Sequence, residues 1–136
     1  MGLFGGTFQA DISPDVVAGT PLIRAYGDDY FHLGNERYHD AIMLHQGAII
    51  APWQASSVAE LSLAEIQAVM DQPPEIFLLG TGRSIAFPPQ AIVDALSAAG
   101  IGFEFMDSRA AARTYNIIVS EGRTISACLF LPQHRD

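Results

Sequence analysis

Three guanidiniums, a carboxamide and two carboxylates crowd into residues 106–123 of this chain: Asp107, Arg109, Arg113, Asn116, Glu121 and Arg123. The segment reads as a helix over 108–120, with Asp107 before it and Glu121 and Arg123 at its exit. At about 100° per residue, Arg109, Arg113, Asn116 and Ser120 share an arc of about 60°. Two guanidiniums and an amide on one stripe can hold an anion, although a charged stripe is as often a solvated face. Two details point beyond solvation. Ala110, Ala111 and Ala112 let another backbone approach closely, and Glu121 stands where the helix dipole disfavours an anion by about 0.3–1 kcal/mol. A local rule broken without compensation marks a paired or functional group, so Glu121 is expected to be held by Arg113 or Arg123.

A second candidate is the turn Gly80-Thr81-Gly82-Arg83, between an apolar run and the approach to a helix, where phosphate-cradling loops occur. A lone Gly-x-Gly is weak evidence, since the third glycine of the dinucleotide fingerprint is missing; a tight turn is the plainer role. Ser84, Asp107 and His134 follow the chain order of a hydrolase triad. A nucleophile elbow, however, needs a helix beginning at the serine, and Pro88-Pro89 delays it; His134 is placed in a frayed tail. His32, His39 and His45, with Glu36 and Asp40 nearby, lack a recognised ligand spacing and read as partly exposed strand and turn residues. All seven cations are arginine, so there is no lysine for a Schiff base, a pyridoxal-phosphate anchor or a Walker-type loop. Cys128 is the only cysteine, which excludes an internal disulfide and a cysteine-rich zinc site. No cofactor and no metal are implied.

These residues need a scaffold, and the pattern supplies one. Aromatic and branched runs bounded by Gly, Asn and Asp predict strands over 22–26, 30–33, 38–45 and 48–53, an antiparallel meander. Ser62-Leu63-Ala64-Glu65 has capping-box spacing and opens a helix to about Asp71, with Leu63, Ile66, Val69 and Met70 facing inward. Residues 75–79 form a continuous apolar run, the mark of a strand covered on both faces. Pro88-Pro89 starts a second helix that Gly100 stops. A strand over 101–106, the helix over 108–120 and a strand over 124–131 follow. Strand, helix, strand, helix, strand implies parallel pairing with helices across the sheet. The fold class is α/β, with an antiparallel β extension from the N-terminal half. Residues 1–20 read as an arm or edge strand and 21–136 as a single α/β domain.

A chain of 136 residues with net charge −8 and an acidic first half is no general nucleic-acid binder. Its longest apolar runs, 48–53 and 125–132, fall far short of the ~20 residues a membrane-spanning helix needs, so no membrane insertion is expected. No secretory or transit pattern is visible at the N-terminus, and a cytoplasmic location is expected.

The wording of the motifs carries a resemblance. Gly80-Thr81-Gly82 followed by Phe87-Pro88, then Met106-Asp107-Ser108, Ala110-Ala111-Ala112-Arg113-Thr114-Tyr115-Asn116 and Glu121-Gly122-Arg123, resembles the small bacterial and archaeal domains related to mitochondrial complex I assembly factor 3. The likeness runs from about Pro21 to Leu131. Many members have Thr where Ser108 stands and Cys where Ala112 stands. The resemblance implies a three-layer α/β domain with a mixed central sheet. It also implies a relative that helps assemble the respiratory NADH:ubiquinone oxidoreductase by binding protein partners, with no established catalysis. A non-enzymatic assembly or protein-interaction factor is therefore expected, with partners unidentified and self-association open. The alternative is a small-molecule or anion-binding protein, or an enzyme, whose site combines Gly80, Thr81, Gly82 and Arg83 with Arg113, Asn116 and Glu121.

Overall fold

A computed structural model describes residues 19–136; the arm or edge strand expected over 1–20 lies almost wholly outside them. Turn chemistry divides the first half. β1 (Ile23–Gly27), β2 (Tyr30–Leu33) and β3 (Glu36–Tyr38) form a three-stranded antiparallel sheet joined by tight turns, the second at Gly34 with φ 59°. The chain then leaves this sheet. β4 (Ile42–His45) and β5 (Ala48–Ile50) form a hairpin closed by Gln46 and Gly47, both with positive φ, the pairing whose twist matches that of the strands.

The strand expected over 38–45 is thus two strands in two sheets. His39 and Asp40 are exposed and break the apolar pattern, whereas all of β4 is buried. β4 pairs antiparallel with β8 (Ile125–Leu129), β8 parallel with β6 (Ile76–Gly80), and β6 parallel with β7 (Gly102–Met106). The order β5-β4-β8-β6-β7 makes a mixed central sheet with β7 at one edge. The α/β class, the mixed sheet and the antiparallel extension all hold.

Alternation along the central strands fills two cores. Leu44, Leu78, Ala127 and Leu129 point to α3 (Ser108–Ser120), meeting Ala111, Ala112, Tyr115 and Ile118, with Phe31 and Leu33 of the small sheet in the same cluster. Met43, Phe77, Leu79 and Cys128 point the other way, to α1 (Gln67–Asp71), α2 (Gln90–Ala98) and the 51–61 loop, meeting Val58, Ile66, Val69, Ile92 and Leu96. The capping box at Ser62 forms, but it opens a 3-10 turn (Leu63–Ile66) before α1. Leu63, at the open end of that turn, is exposed rather than inward, and Ile66 and Val69 fill the core.

Candidate functional site

The 80–83 turn lies at the carboxyl ends of parallel strands, where ligands of α/β sheets bind. Its amides are already committed. Thr81 N donates to Met106 O at 2.8 Å, Gly82 N to Ser108 Oγ at 2.8 Å, and Arg83 N to His134 O at 2.9 Å. Ser108 Oγ in turn donates to Phe130 O at 2.6 Å, and Ser108 N to Gly82 O at 2.8 Å. A phosphate cradle needs free amides aimed at one point; here three successive amides tie β7, α3 and the C-terminal tail together. The glycines fit that clasp. Gly82 has φ +105° and lies against the His134 carbonyl, while a Cβ on Gly80 would stand 2.7 Å from Leu129 and 3.2 Å from the Ala111 Cβ. The alanines of α3 thus permit the close approach that their size allows. Asp107 caps the helix, accepting from Ala110 N at 2.9 Å.

The stripe on α3 faces the small sheet. Arg109 pairs with Asp28, Arg113 Nη1 donates to the Tyr26 hydroxyl at 2.7 Å, and Tyr115 Oη donates to Pro21 O at 3.1 Å. The Asn116 carboxamide accepts from Ile23 N at 2.9 Å and donates to Ile23 O at 2.8 Å. These side chains join α3 to β1. Arg123 Nε lies 3.5 Å from Glu75 Oε1, and Glu121, exposed at the helix C-cap, bonds to neither arginine. The expected hold on Glu121 does not form, because the Tyr26 phenol and the Glu75 carboxylate take the two guanidiniums, and water screens an exposed carboxylate from the dipole. Asp107 and Glu121 are a helix length of about 20 Å apart. The ten candidates therefore divide: Gly80, Thr81, Gly82, Arg83 and Asp107 gather at one end, Arg109, Arg113 and Asn116 line the joint to β1, and Glu121 and Arg123 lie at the far end.

His134 is pinned rather than frayed. Its N donates to Leu131 O at 2.9 Å, its ring stacks on Phe130 at 4.3 Å, and its Nε2 lies 2.8 Å from Asp136 Oδ1. Asp136 also accepts from Val58 N and Ala59 N, both at 2.9 Å. Burial pushes this carboxyl upward, but the Val58, His134 and Ala59 bonds outweigh it and hold the group below the usual carboxylate range. His134 and Phe130 border a cavity of about 250 Å³ together with His39, Asp40 and Gln133. Nothing local announced the pair of His134 and Asp136, which Val58, Ala59 and Arg83 hold from dozens of residues away in sequence. His45 is also buried, with Nδ1 2.7 Å from Ser126 Oγ and Nε2 without a partner among the described residues. Burial raises the Cys128 thiol well above its ordinary value. Among the described residues no group of three or more His, Cys, Asp or Glu is placed to hold a metal, and no helix is long and apolar enough to cross a membrane.

The clasp also shapes an apolar surface. Thr81 Oγ1 donates to Ser84 O at 2.8 Å and accepts from Ala86 N at 3.2 Å, fixing the loop that follows. That loop presents Ile85, 54% exposed, and Phe87, 70% exposed. Phe87 meets Phe105 edge-on at 5.3 Å; Phe105 stacks on Phe103 at 5.7 Å, and Phe103 on Phe77 at 5.6 Å. A ladder of four rings thus runs from the core to an exposed phenylalanine at the β7 edge. Phe87 had stood out only as part of a motif, because sequence does not reveal which apolar side chain is left in water.

Residues 23–130 match the family model described as Protein of unknown function (DUF498/DUF598). The chain belongs to this family. An uncharacterized protein of Rhodobacter capsulatus is 32% identical to this DUF498 chain over 112 residues, covering 82% of this chain and 86% of that protein. A Francisella tularensis protein named 13 kDa major membrane protein is 32% identical over 72 residues, 53% of this chain and 58% of its own. The fold matches a crystal structure from Bordetella parapertussis with TM-score 0.73 and 36% identity, covering 82% and 96% of the two chains. A Bordetella pertussis protein described as a Mth938-like domain matches with TM-score 0.73 and 28% identity over 93% and 94%. A Bartonella henselae protein described as an outer membrane protein matches with TM-score 0.76 and 25% identity over 83% and 96%. This DUF498 chain is thus an α/β domain with a Mth938-like domain among its structural neighbours.

Proposed function

We propose that this chain is a non-enzymatic interaction factor that docks on a partner protein through the loop bearing Ile85 and Phe87 and the aromatic flank of β7. The exposure of Phe87 carries the reading. A phenylalanine left in water at the end of a ring ladder, beside a second exposed apolar residue, is the kind of anchor that buried interface pockets accept. The clasp around Gly80, Thr81, Gly82 and Arg83 then serves to fix that anchor, and the Arg109, Arg113 and Asn116 joint to hold the fold. Supporting this is the resemblance to complex I assembly factor 3, by which the partner would belong to the assembly of a respiratory complex. Affinity capture from native lysate with the wild-type chain and with Phe87→Asp tests it. A specific protein retained by the first and lost by the second is expected; identical captures would overturn it.

A second reading has its own observation. The Asp136-oriented His134 beside a cavity of about 250 Å³, with His39, Asp40 and Gln133 on its wall, suits a small polar ligand. A ligand at 100 times its dissociation constant adds about 2.7 kcal/mol of stability. A thermal-shift panel of nucleotides and organic anions and cations that raises Tm nowhere would remove this alternative.

A further inference from the structure

We infer that β7 is the acceptor edge for an extended basic segment of the partner, which adds to the central sheet as a sixth strand; this rests on the interaction reading and gives the partner's form. The ladder decides which groups are available. Gly102 N donates to Glu75 O at 2.9 Å, and Met106 O accepts from Thr81 N at 2.8 Å. Bonding direction alternates along a strand, so Gly102, Glu104 and Met106 use their backbone groups on β6, while Phe103 and Phe105 aim theirs away from the sheet. Among the described residues nothing bonds those four outward groups.

Natural edges are blunted by proline, charged side chains, a bulge or a covering element, and the one charge on β7 is Glu104. β7 has no proline or lysine, and its register with β6 is unbroken from Gly102 to Met106. One face of this edge carries the ring ladder ending in exposed Phe87. The other carries exposed Glu104 and, above it, the α3 flank whose Thr114 reaches Met106 Sδ at 3.4 Å. Ile117, one turn further along that flank, is 59% exposed. An incoming strand would therefore meet apolar surface on both faces and one carboxylate.

Charge selects the occupant. If a second copy added its own β7 antiparallel, with Phe103 and Phe105 of each strand bonded to those of the other, the two Glu104 side chains would stand directly opposite. Like charges there are destabilising, and a net charge of −8 per chain adds to the repulsion. A segment with arginine or lysine opposite Glu104 and apolar residues at alternate positions reverses the sign. This is strand addition, in which main-chain bonds give affinity and alternate side chains give specificity.

The probes are a nine-residue peptide alternating valine and arginine, its valine–glutamate counterpart, and the arginine peptide N-methylated at alternate amides. Binding is read by fluorescence anisotropy and by hydrogen exchange at the Phe103 and Phe105 amides. The arginine peptide should bind at least tenfold more tightly than the glutamate peptide and slow both amides at least tenfold. One of the two N-methyl phases should abolish binding, and Glu104→Arg should invert the charge preference. Arginine-peptide binding without protection of those amides, or no binding up to millimolar concentration, overturns strand addition. If either occurs while the wild-type chain still captures a partner that Phe87→Asp loses, the interaction reading stands and only the strand falls. Protection without Phe87-dependent capture upholds the strand and overturns the loop as its anchor.

Discussion

The carboxamide of Asn116 holds both backbone groups of Ile23, accepting at 2.9 Å and donating at 2.8 Å across a separation of 93 residues. Paired in this way, the side chain acts as a one-residue extension of the small sheet, and it fixes β1 against α3. Asn116→Leu leaves an amide and a carbonyl of part-buried backbone unpaired. A loss of about 1–3 kcal/mol is expected, seen as a lower urea midpoint, with hydrogen exchange accelerated first in β1 to β3.

Ser108 makes a comparable junction. Its hydroxyl links Gly82 N to Phe130 O in a fully buried site. Ser108→Ala should cost about 1–3 kcal/mol in chemical denaturation. Ser108→Thr keeps the hydroxyl and should cost clearly less.

A pH dependence follows from Asp136. Its folded carboxyl lies below the usual carboxylate range, so the stability it contributes is present above that range. The contribution is lost as pH falls through the lower folded value. The Tm difference between wild type and Asp136→Asn should therefore be constant at neutral pH and shrink as pH drops below about 4. A difference that grew on acidification would contradict the assignment.

Cys128 is fully buried and its thiol is pushed upward by desolvation. A thiol reagent at pH 8 should label it only as fast as the chain opens, with a rate that rises with urea. Prompt labelling of the native chain would show the core to be open at this strand.

The architecture was largely legible from patterns of local origin. Pro88-Pro89 and Gly100 bracket α2, the helix expected over 108–120 is α3, and the apolar run through Phe77 and Leu79 becomes a strand buried on both faces. What sequence could not supply was partnership across distance. Arg113 could be placed on a stripe, but only the docking of β1 decides that its partner is Tyr26 and not Glu121. His134 read as tail because Arg83, and Val58 and Ala59 through Asp136, are brought to it by the fold. Phe87 read as a motif letter, since its exposure depends on how Thr81 holds the loop.

Phe87→Asp should leave folding almost untouched, because the side chain is already 70% exposed. A stability change within about 0.5 kcal/mol is expected. Binding to a captured partner should weaken by about 2 kcal/mol or more, roughly thirtyfold, as for a central aromatic anchor.

The most direct measurement is site-specific photo-crosslinking in living cells, with a photoreactive amino acid at position 87 and, as control, at the exposed position 71 on α1. The interaction reading predicts a discrete heterologous adduct from position 87 that position 71 does not give. No adduct at either position, or the same adducts at both, would contradict it.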